Sequence, residues 1–173
     1  MNPQVTLVLG GARSGKSAHA EMLVAAHAPP WRYIATAEAL DAEMAARIAA
    51  HKARRGADWI TVEAPHALPL AVADSPAAPL LVDCLSLWLS NRLLAGADLA
   101  QDRAELIEAL TRRRAPTVVV SSEVGLSVVS ENALARKFRD AAGELNQAAA
   151  AVAGRVTLVV AGYPLIVKGA SAE

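Results

Sequence analysis

Eight consecutive residues, Gly10-Gly11-Ala12-Arg13-Ser14-Gly15-Lys16-Ser17, fit the pattern GxxxxGK(S/T). The glycines let backbone N–H groups turn inward around phosphate oxygens, the Lys16 ammonium reaches the outer phosphates, and the Ser17 hydroxyl ligates a Mg²⁺ ion that accompanies them. The competing reading is a glycine-rich turn with an incidental lysine. A phosphate loop demands a strand before it and a helix after it. Both are legible: Val5-Thr6-Leu7-Val8-Leu9 is a β-branched apolar run that stops at Gly10, and Lys16 to about Ala28 carries a helical pattern closed by Pro29-Pro30.

Two acids stand where such a site would use them. Asp83 ends the apolar run Leu80-Leu81-Val82, as does an acid that holds Mg²⁺ directly or through water. Its alternative is to cap the following helix, since Asp is a favoured N-cap residue. With a phosphate loop in the same chain the metal role is the preferred reading. Glu123 follows the next apolar run, where it either orients a nucleophile or sits in solvent.

The elements that must position these groups alternate in type. Strands are expected at Val5–Leu9, Tyr33–Ala35, Trp59–Glu63, Leu80–Asp83, Thr117–Ser121 and Val156–Val160. Helices are expected from Lys16 to Ala28, Glu38 to Lys52, Cys84 to Leu94, Asp98 to Arg114 and Asn132 to Ala153. The acids early and three arginines late in the Asp98 helix match the helix macrodipole. The proline-rich patch from Pro65 to Pro79 reads as a loop around a small helix or turn. This rhythm gives an α/β fold: a P-loop NTPase of RecA-like type, with a doubly wound, mainly parallel sheet flanked by helices. A chain of 173 residues fits one catalytic domain, 1–173.

Composition narrows the partners. Seventeen basic and seventeen acidic residues leave no net field for a polyanion, which argues against nucleic acid. No apolar stretch reaches the roughly 18 residues of a membrane span. The one cysteine, Cys84, has no intrachain disulfide partner, and no secretory leader is seen, so a cytoplasmic location is expected. No His/Cys cluster has metal-ligand spacing, so the expected metal is nucleotide-bound Mg²⁺. His19, His27 and His66 read as surface or helix-packing residues.

A phosphate loop alone names no reaction. Together, however, the loop, Tyr33-Ile-Ala-Thr-Ala37, Glu43-Met-Ala-Ala-Arg-Ile48 with His51, Ser122-Glu-Val-Gly125, and Glu131-Asn-Ala-Leu-Ala-Arg-Lys-Phe-Arg-Asp140 with Gly143 and Asn146-Gln147 resemble one family. It is the bifunctional adenosylcobinamide kinase and adenosylcobinamide-phosphate guanylyltransferase family of cobalamin biosynthesis. The resemblance runs from the loop to Lys168 and implies two reactions. ATP or GTP phosphorylates the aminopropanol hydroxyl of adenosylcobinamide. GTP then donates GMP to adenosylcobinamide phosphate, giving adenosylcobinamide-GDP and pyrophosphate.

The resemblance also implies roles. The family's GMP passes through a covalent guanylyl-histidine, and the matching residue is His51; a neutral imidazole is a competent nucleophile and the phosphoramidate it forms is labile. On its own His51 would read as a helix-terminal histidine. Lys52, Ala53, Arg54 and Arg55 follow it near GTP, where cations neutralise charge on the transferring group, or else they form a solvated helix end. Ala35, Thr36 and Ala37 are placed at the nucleotide. Glu63 either accepts from the guanine N1 and N2 donors or faces solvent. Arg136, Arg139 and Asp140 touch a neighbouring subunit or the substrate phosphate, or else pair within their helix. Ser122 stands where the family often has Asn. A homo-oligomer, most often a trimer, is implied as well. Two other readings compete: a P-loop kinase of another small alcohol with His51 structural, and a nucleotide-dependent binding module.

Overall fold

A computed structural model describes residues 1–39, 42, 45, 46, 49, 53, 55–75, 77–126 and 130–169. The elements run β1 (Asn2–Gly10), α1 (Lys16–Ala25), β2 (Trp31–Ala35), β3 (Trp59–Glu63), α2 (Leu68–Ala73), β4 (Leu80–Asp83), α3 (Leu85–Leu94), α4 (Leu99–Arg112), β5 (Thr117–Ser122), α5 (Ala133–Val152), β6 (Ala153–Val160) and β7 (Tyr163–Lys168). The strands form one seven-stranded sheet in the order β3-β2-β4-β5-β1-β6-β7. All neighbours pair in parallel except β6 and β7.

The central strands carry near-continuous apolar runs because both their faces are covered. One face carries Leu7, Ile34, Leu80, Val82 and Val119 into a core shared with Trp88, Leu106, Leu110 and Leu145 of the helices α3, α4 and α5. The other carries Val8, Tyr33, Leu81, Val118 and Val120 against Ala20 and Val24 of α1. The sheet is therefore doubly wound, as the alternating pattern requires. Strand β5 lies between β1 and β4, so the phosphate-loop strand and the strand ending in Asp83 are separated by one neighbour.

Capping is local and readable. Asp98 accepts from the N–H groups of Ala100 and Gln101, and Asn132 from those of Leu134 and Ala135, each satisfying helix-start donors. Helix α1 stops at Ala25, three residues before its expected end. Within the expected Glu38–Lys52 helix, Glu38 is not helical, whereas the described Ala42, Ala45, Ala46 and Ala49 are.

Three features depart from the sequence expectation. Helix α4 ends at Arg112, and Arg113 does not serve its dipole. The Arg113 guanidinium is buried and donates to Thr117 Oγ1 and to the carbonyls of Ser75 and Ala78, fastening the turn before β4 to the start of β5. Second, β1 begins at Asn2, whose amide donates to the carbonyls of Leu110, Thr111 and Arg113 and so closes the end of α4. Third, the chain does not stop at Val160. Ala161 and Gly162, with φ of 50° and 86°, make a two-residue hairpin turn into the antiparallel edge strand β7.

Candidate nucleotide site

Parallel pairing brings the carboxyl ends of β1 to β5 to one edge, where Gly10, Ala35, Glu63, Asp83 and Ser122 lie in a row across the sheet. This is where open α/β sheets bind ligands. The loop Gly10–Ser17 leaves that edge from the end of β1, next to β5.

Its conformation is set by two glycines. Gly15, with φ of 95°, is the N-cap of α1, and a Cβ there would lie 3.2 Å from the Cα of Gly162. At Gly10 a Cβ would meet Ser14 Oγ at 2.4 Å and the Val159 carbonyl at 2.8 Å. Ser14 N–H donates to the Gly11 carbonyl at 3.3 Å, and Gly162 N–H donates to the Ser14 carbonyl at 2.8 Å. The hairpin turn after β6 thus braces the loop from outside, a contact that sequence reading did not foresee.

No side chain caps α1 and no acid stands in its first turn, so its N-terminal N–H groups and positive dipole end face the loop. Lys16 Nζ donates to the Gly11 carbonyl at 3.0 Å, which folds the ammonium over the loop. That bond uses one of three donors. Ser14 Oγ is buried and has no hydrogen-bond partner among the described residues. Ala12 and the exposed Arg13, whose φ is 55°, form the outer rim. The concavity is built to receive an anion with several oxygens.

Asp83 does not cap α3. The N-cap is Cys84, without a side-chain cap bond, and Asp83 Oδ2 instead accepts from the Tyr33 hydroxyl at 3.0 Å. Burial, then the adjacent Asp83 charge, pushes the Tyr33 phenol well above its usual range, so it keeps its proton and donates it to Asp83. Arg55 stacks on the other side of this group, its guanidinium carbon 3.4 Å from the Tyr33 ring centroid. Burial likewise lifts the Cys84 thiol up to about 11, with Asp83 adding to the effect.

Thr36 also reaches the edge, but its hydroxyl is committed. It donates to the Cys84 carbonyl at 2.7 Å and accepts from Cys84 N–H at 2.8 Å, while its own carbonyl accepts from Asn91. Thr36 therefore ties β2 to the start of α3, a structural role that its motif position did not reveal. Ala35 and Ala37 flank it on the edge. Glu63 is exposed at the end of β3. The loops after β2 and β3 meet through Glu38 and His66, 3.2 Å apart.

Glu123 sits beside the loop, its N–H donating to the Gly10 carbonyl at 3.1 Å and its carboxylate accepting from Gly125 N–H. Ser122 N–H donates to Ser86 Oγ at 2.6 Å. Arg139 pairs with Asp140 within α5, whereas Arg136 donates to the carbonyls of Ser130 and Glu131, which precede the helix. His19 lies half-buried in α1, its pKa lowered by burial. His51, Lys52 and Arg54 lie outside the described residues, and Ala53 is exposed. The described part of the edge thus joins a phosphate cradle, a strand-end carboxylate and a stacked guanidinium. Among the described residues no three His, Cys, Asp or Glu side chains gather as a metal cluster, and no helix is long and apolar enough to cross a membrane.

Comparison with known proteins agrees with this geometry. Residues 6–167 match the family model described as cobinamide kinase / cobinamide phosphate guanyltransferase. The chain is 48% identical over 167 residues to the bifunctional adenosylcobalamin biosynthesis protein CobP of Pseudomonas aeruginosa, covering 94% of this chain and 96% of that one. It is 45% identical over 179 residues to the bifunctional adenosylcobalamin biosynthesis protein CobU of Salmonella typhimurium, covering 94% and 98%. A solved protein of Pyrococcus horikoshii OT3 shares the fold with a TM-score of 0.52, at 11% identity, over 99% of this chain and 89% of that one.

Proposed function

Because the chain belongs to the cobinamide kinase / cobinamide phosphate guanyltransferase family, we propose that its carboxyl-edge site carries out both transfers of that family within one domain spanning 1–173. The enzyme is a bifunctional transferase of cobalamin biosynthesis. The observation that carries the site assignment is the intact phosphate cradle Gly10–Ser17 on the same sheet edge as Asp83.

In the kinase step the hydroxyl oxygen of adenosylcobinamide attacks the γ-phosphorus of ATP or GTP. The bond to the β,γ-bridging oxygen breaks, the nucleoside diphosphate leaves, and the hydroxyl proton is lost to the surroundings. Lys16 and the N–H groups of Gly11 to Ser17 hold the phosphates in place and offset the charge that shifts during transfer.

In the guanylyl step an imidazole nitrogen of His51 attacks the α-phosphorus of GTP, and pyrophosphate leaves as the α,β-bridging bond breaks. A phosphate oxygen of adenosylcobinamide phosphate then displaces the histidine, giving adenosylcobinamide-GDP and the free enzyme. Lys52, Arg54 and Arg55 neutralise the triphosphate during this exchange, with Ala53 between them, and Glu63 accepts from the guanine edge.

Ser17 and Asp83 are both half-buried oxygen donors on this edge, a hard donor set that suits Mg²⁺ with its nucleotide. Bound there, the ion would neutralise phosphate charge. Ala35 and Ala37 line the nucleotide, and Thr36 acts through Cys84. We also propose a cytoplasmic homotrimer that binds neither nucleic acid nor membrane. The strand β7, with Tyr163, Leu165 and Val167 exposed at the sheet edge, supports self-association. Light scattering should then give three times the 18.0 kDa chain mass.

The test is product formation. Purified protein, adenosylcobinamide, ATP, GTP and Mg²⁺ should yield adenosylcobinamide-GDP and pyrophosphate. Accumulation of adenosylcobinamide phosphate alone would instead favour a kinase without guanylyl transfer.

A further inference from the structure

Tyr33 is a middle residue of β2, only 5% exposed, yet its two ends touch two different charged groups of the site. Its hydroxyl donates to Asp83 Oδ2 at 3.0 Å, and its ring face carries the Arg55 guanidinium at 3.4 Å. The register explains the first contact. Tyr33 pairs with Leu81 and Ala35 with Asp83 in the parallel β2–β4 ladder, so Tyr33 and Asp83 lie diagonally on one face. The ring is fixed in turn by Trp59, edge-on at 6.2 Å and itself 5.2 Å from Trp31. Such packing leaves the phenol one orientation.

Arg55 is the more telling neighbour. Its Nη1 is buried and has no hydrogen-bond partner among the described residues. A buried, unpaired guanidinium N–H is costly in a finished structure and is retained where an anion completes it. Arg55 follows the segment that carries His51, whereas Asp83 belongs to the sheet. The Tyr33 side chain touches both.

Building on the proposed site, we infer that Tyr33 is a positioning residue with two separable functions: its hydroxyl sets the Asp83 carboxylate toward the metal-nucleotide complex, and its ring seats Arg55 to pair with the nucleotide triphosphate. The carboxylate keeps its second oxygen for a ligand, because the Tyr33 bond occupies Oδ2. The guanidinium keeps its buried Nη1 for an anion, because that atom has no partner among the described residues while the face of the group stacks on the ring.

The two functions separate by substitution. Affinity is measured twice with the β,γ-imido analogue of GTP: as the Mn²⁺ dissociation constant of the protein–nucleotide complex by electron paramagnetic resonance, and as nucleotide affinity alone in excess EDTA. Tyr33→Phe keeps the ring and should raise the Mn²⁺ dissociation constant about 3- to 10-fold while leaving metal-free nucleotide affinity within about twofold. Arg55→Ala should do the reverse, weakening metal-free binding about 5- to 20-fold. Arg55→Lys should recover only part of this, since an ammonium does not stack as a guanidinium does. Tyr33→Leu should show both losses, and Arg55→Ala added to it should weaken metal-free binding no further. Thermal melts identify any variant that does not fold, and if Tyr33→Leu does not, Tyr33→Met removes the ring with the same two losses expected.

Wild-type Mn²⁺ affinity in Tyr33→Phe, together with weakened affinity in Asp83→Asn, would overturn the positioning role and leave the metal assignment standing. Wild-type Mn²⁺ affinity in Asp83→Asn would overturn the metal assignment itself. Unchanged metal-free binding in Arg55→Ala, or in a folded variant without the Tyr33 ring, would overturn the seating of Arg55.

Discussion

Lys16 and Thr36 stand on the same sheet edge, one turned to the phosphate loop and the other to a neighbouring peptide. Lys16 is assigned to the outer phosphates by its motif, and its Nζ lies over the loop on the Gly11 carbonyl. Lys16→Ala should lower kcat/KM for adenosylcobinamide phosphorylation by on the order of 10²–10³-fold, measured by coupled release of nucleoside diphosphate. Thr36 sits in a motif that the family resemblance places at the nucleotide, but its hydroxyl bridges both backbone groups of Cys84. Nothing in a sequence tells a threonine that faces a ligand from one that faces a neighbouring peptide. Thr36→Val should destabilise the fold by about 2–3 kcal/mol in urea unfolding, because it strips partners from two buried backbone groups. Asp83 was ambiguous for a similar reason: an acid between a strand and a helix serves either element until the cap is seen. Cys84 takes the N-cap place and leaves Asp83 to Tyr33.

At the scale of elements, the sequence was most readable where local chemistry decides structure. Strand β1, its glycine loop and α1 follow from a β-branched run, two glycines and a helical pattern. Asp98 and Asn132 announced α4 and α5 because an N-cap bond is made to backbone two or three residues away. Asn132→Ala should cost about 1 kcal/mol in thermal or urea unfolding. Gly15→Ala should cost about 1–3 kcal/mol and weaken nucleotide binding as well, since φ of 95° is unfavourable for any L side chain and Gly162 crowds the position. Strand β7 was not legible because its reasons are remote. Its run starts Tyr163-Pro164, and a proline argues against a strand except at an edge, where its missing N–H costs nothing. The burial of Arg113 escaped notice likewise, since its partners Ser75 and Ala78 lie far away in the chain.

For the whole molecule, the parallel order is what turns scattered motifs into a site, because every strand from β1 to β5 delivers its last residue to the same edge. The buried Cys84 gives that arrangement a pH signature. Its thiol is raised from 9.0 to about 11 in the fold, so the native state retains a proton that the unfolded chain gives up. This stabilisation is complete below about pH 9, and is lost as pH rises through about 11. Unfolding free energy should therefore fall by on the order of 2 kcal/mol across that window. Cys84→Ala should flatten the slope there while lowering stability at neutral pH through the small cavity it leaves.

The claim that most distinguishes this enzyme from other P-loop kinases is that GMP passes through His51. Incubation with GTP labelled at the α-phosphate measures it directly. The expected result is an acid-labile, alkali-stable label on the protein, located on His51, lost in His51→Ala and discharged to adenosylcobinamide-GDP when adenosylcobinamide phosphate is added. Absence of label in the wild-type protein, or label that persists in His51→Ala, would contradict it.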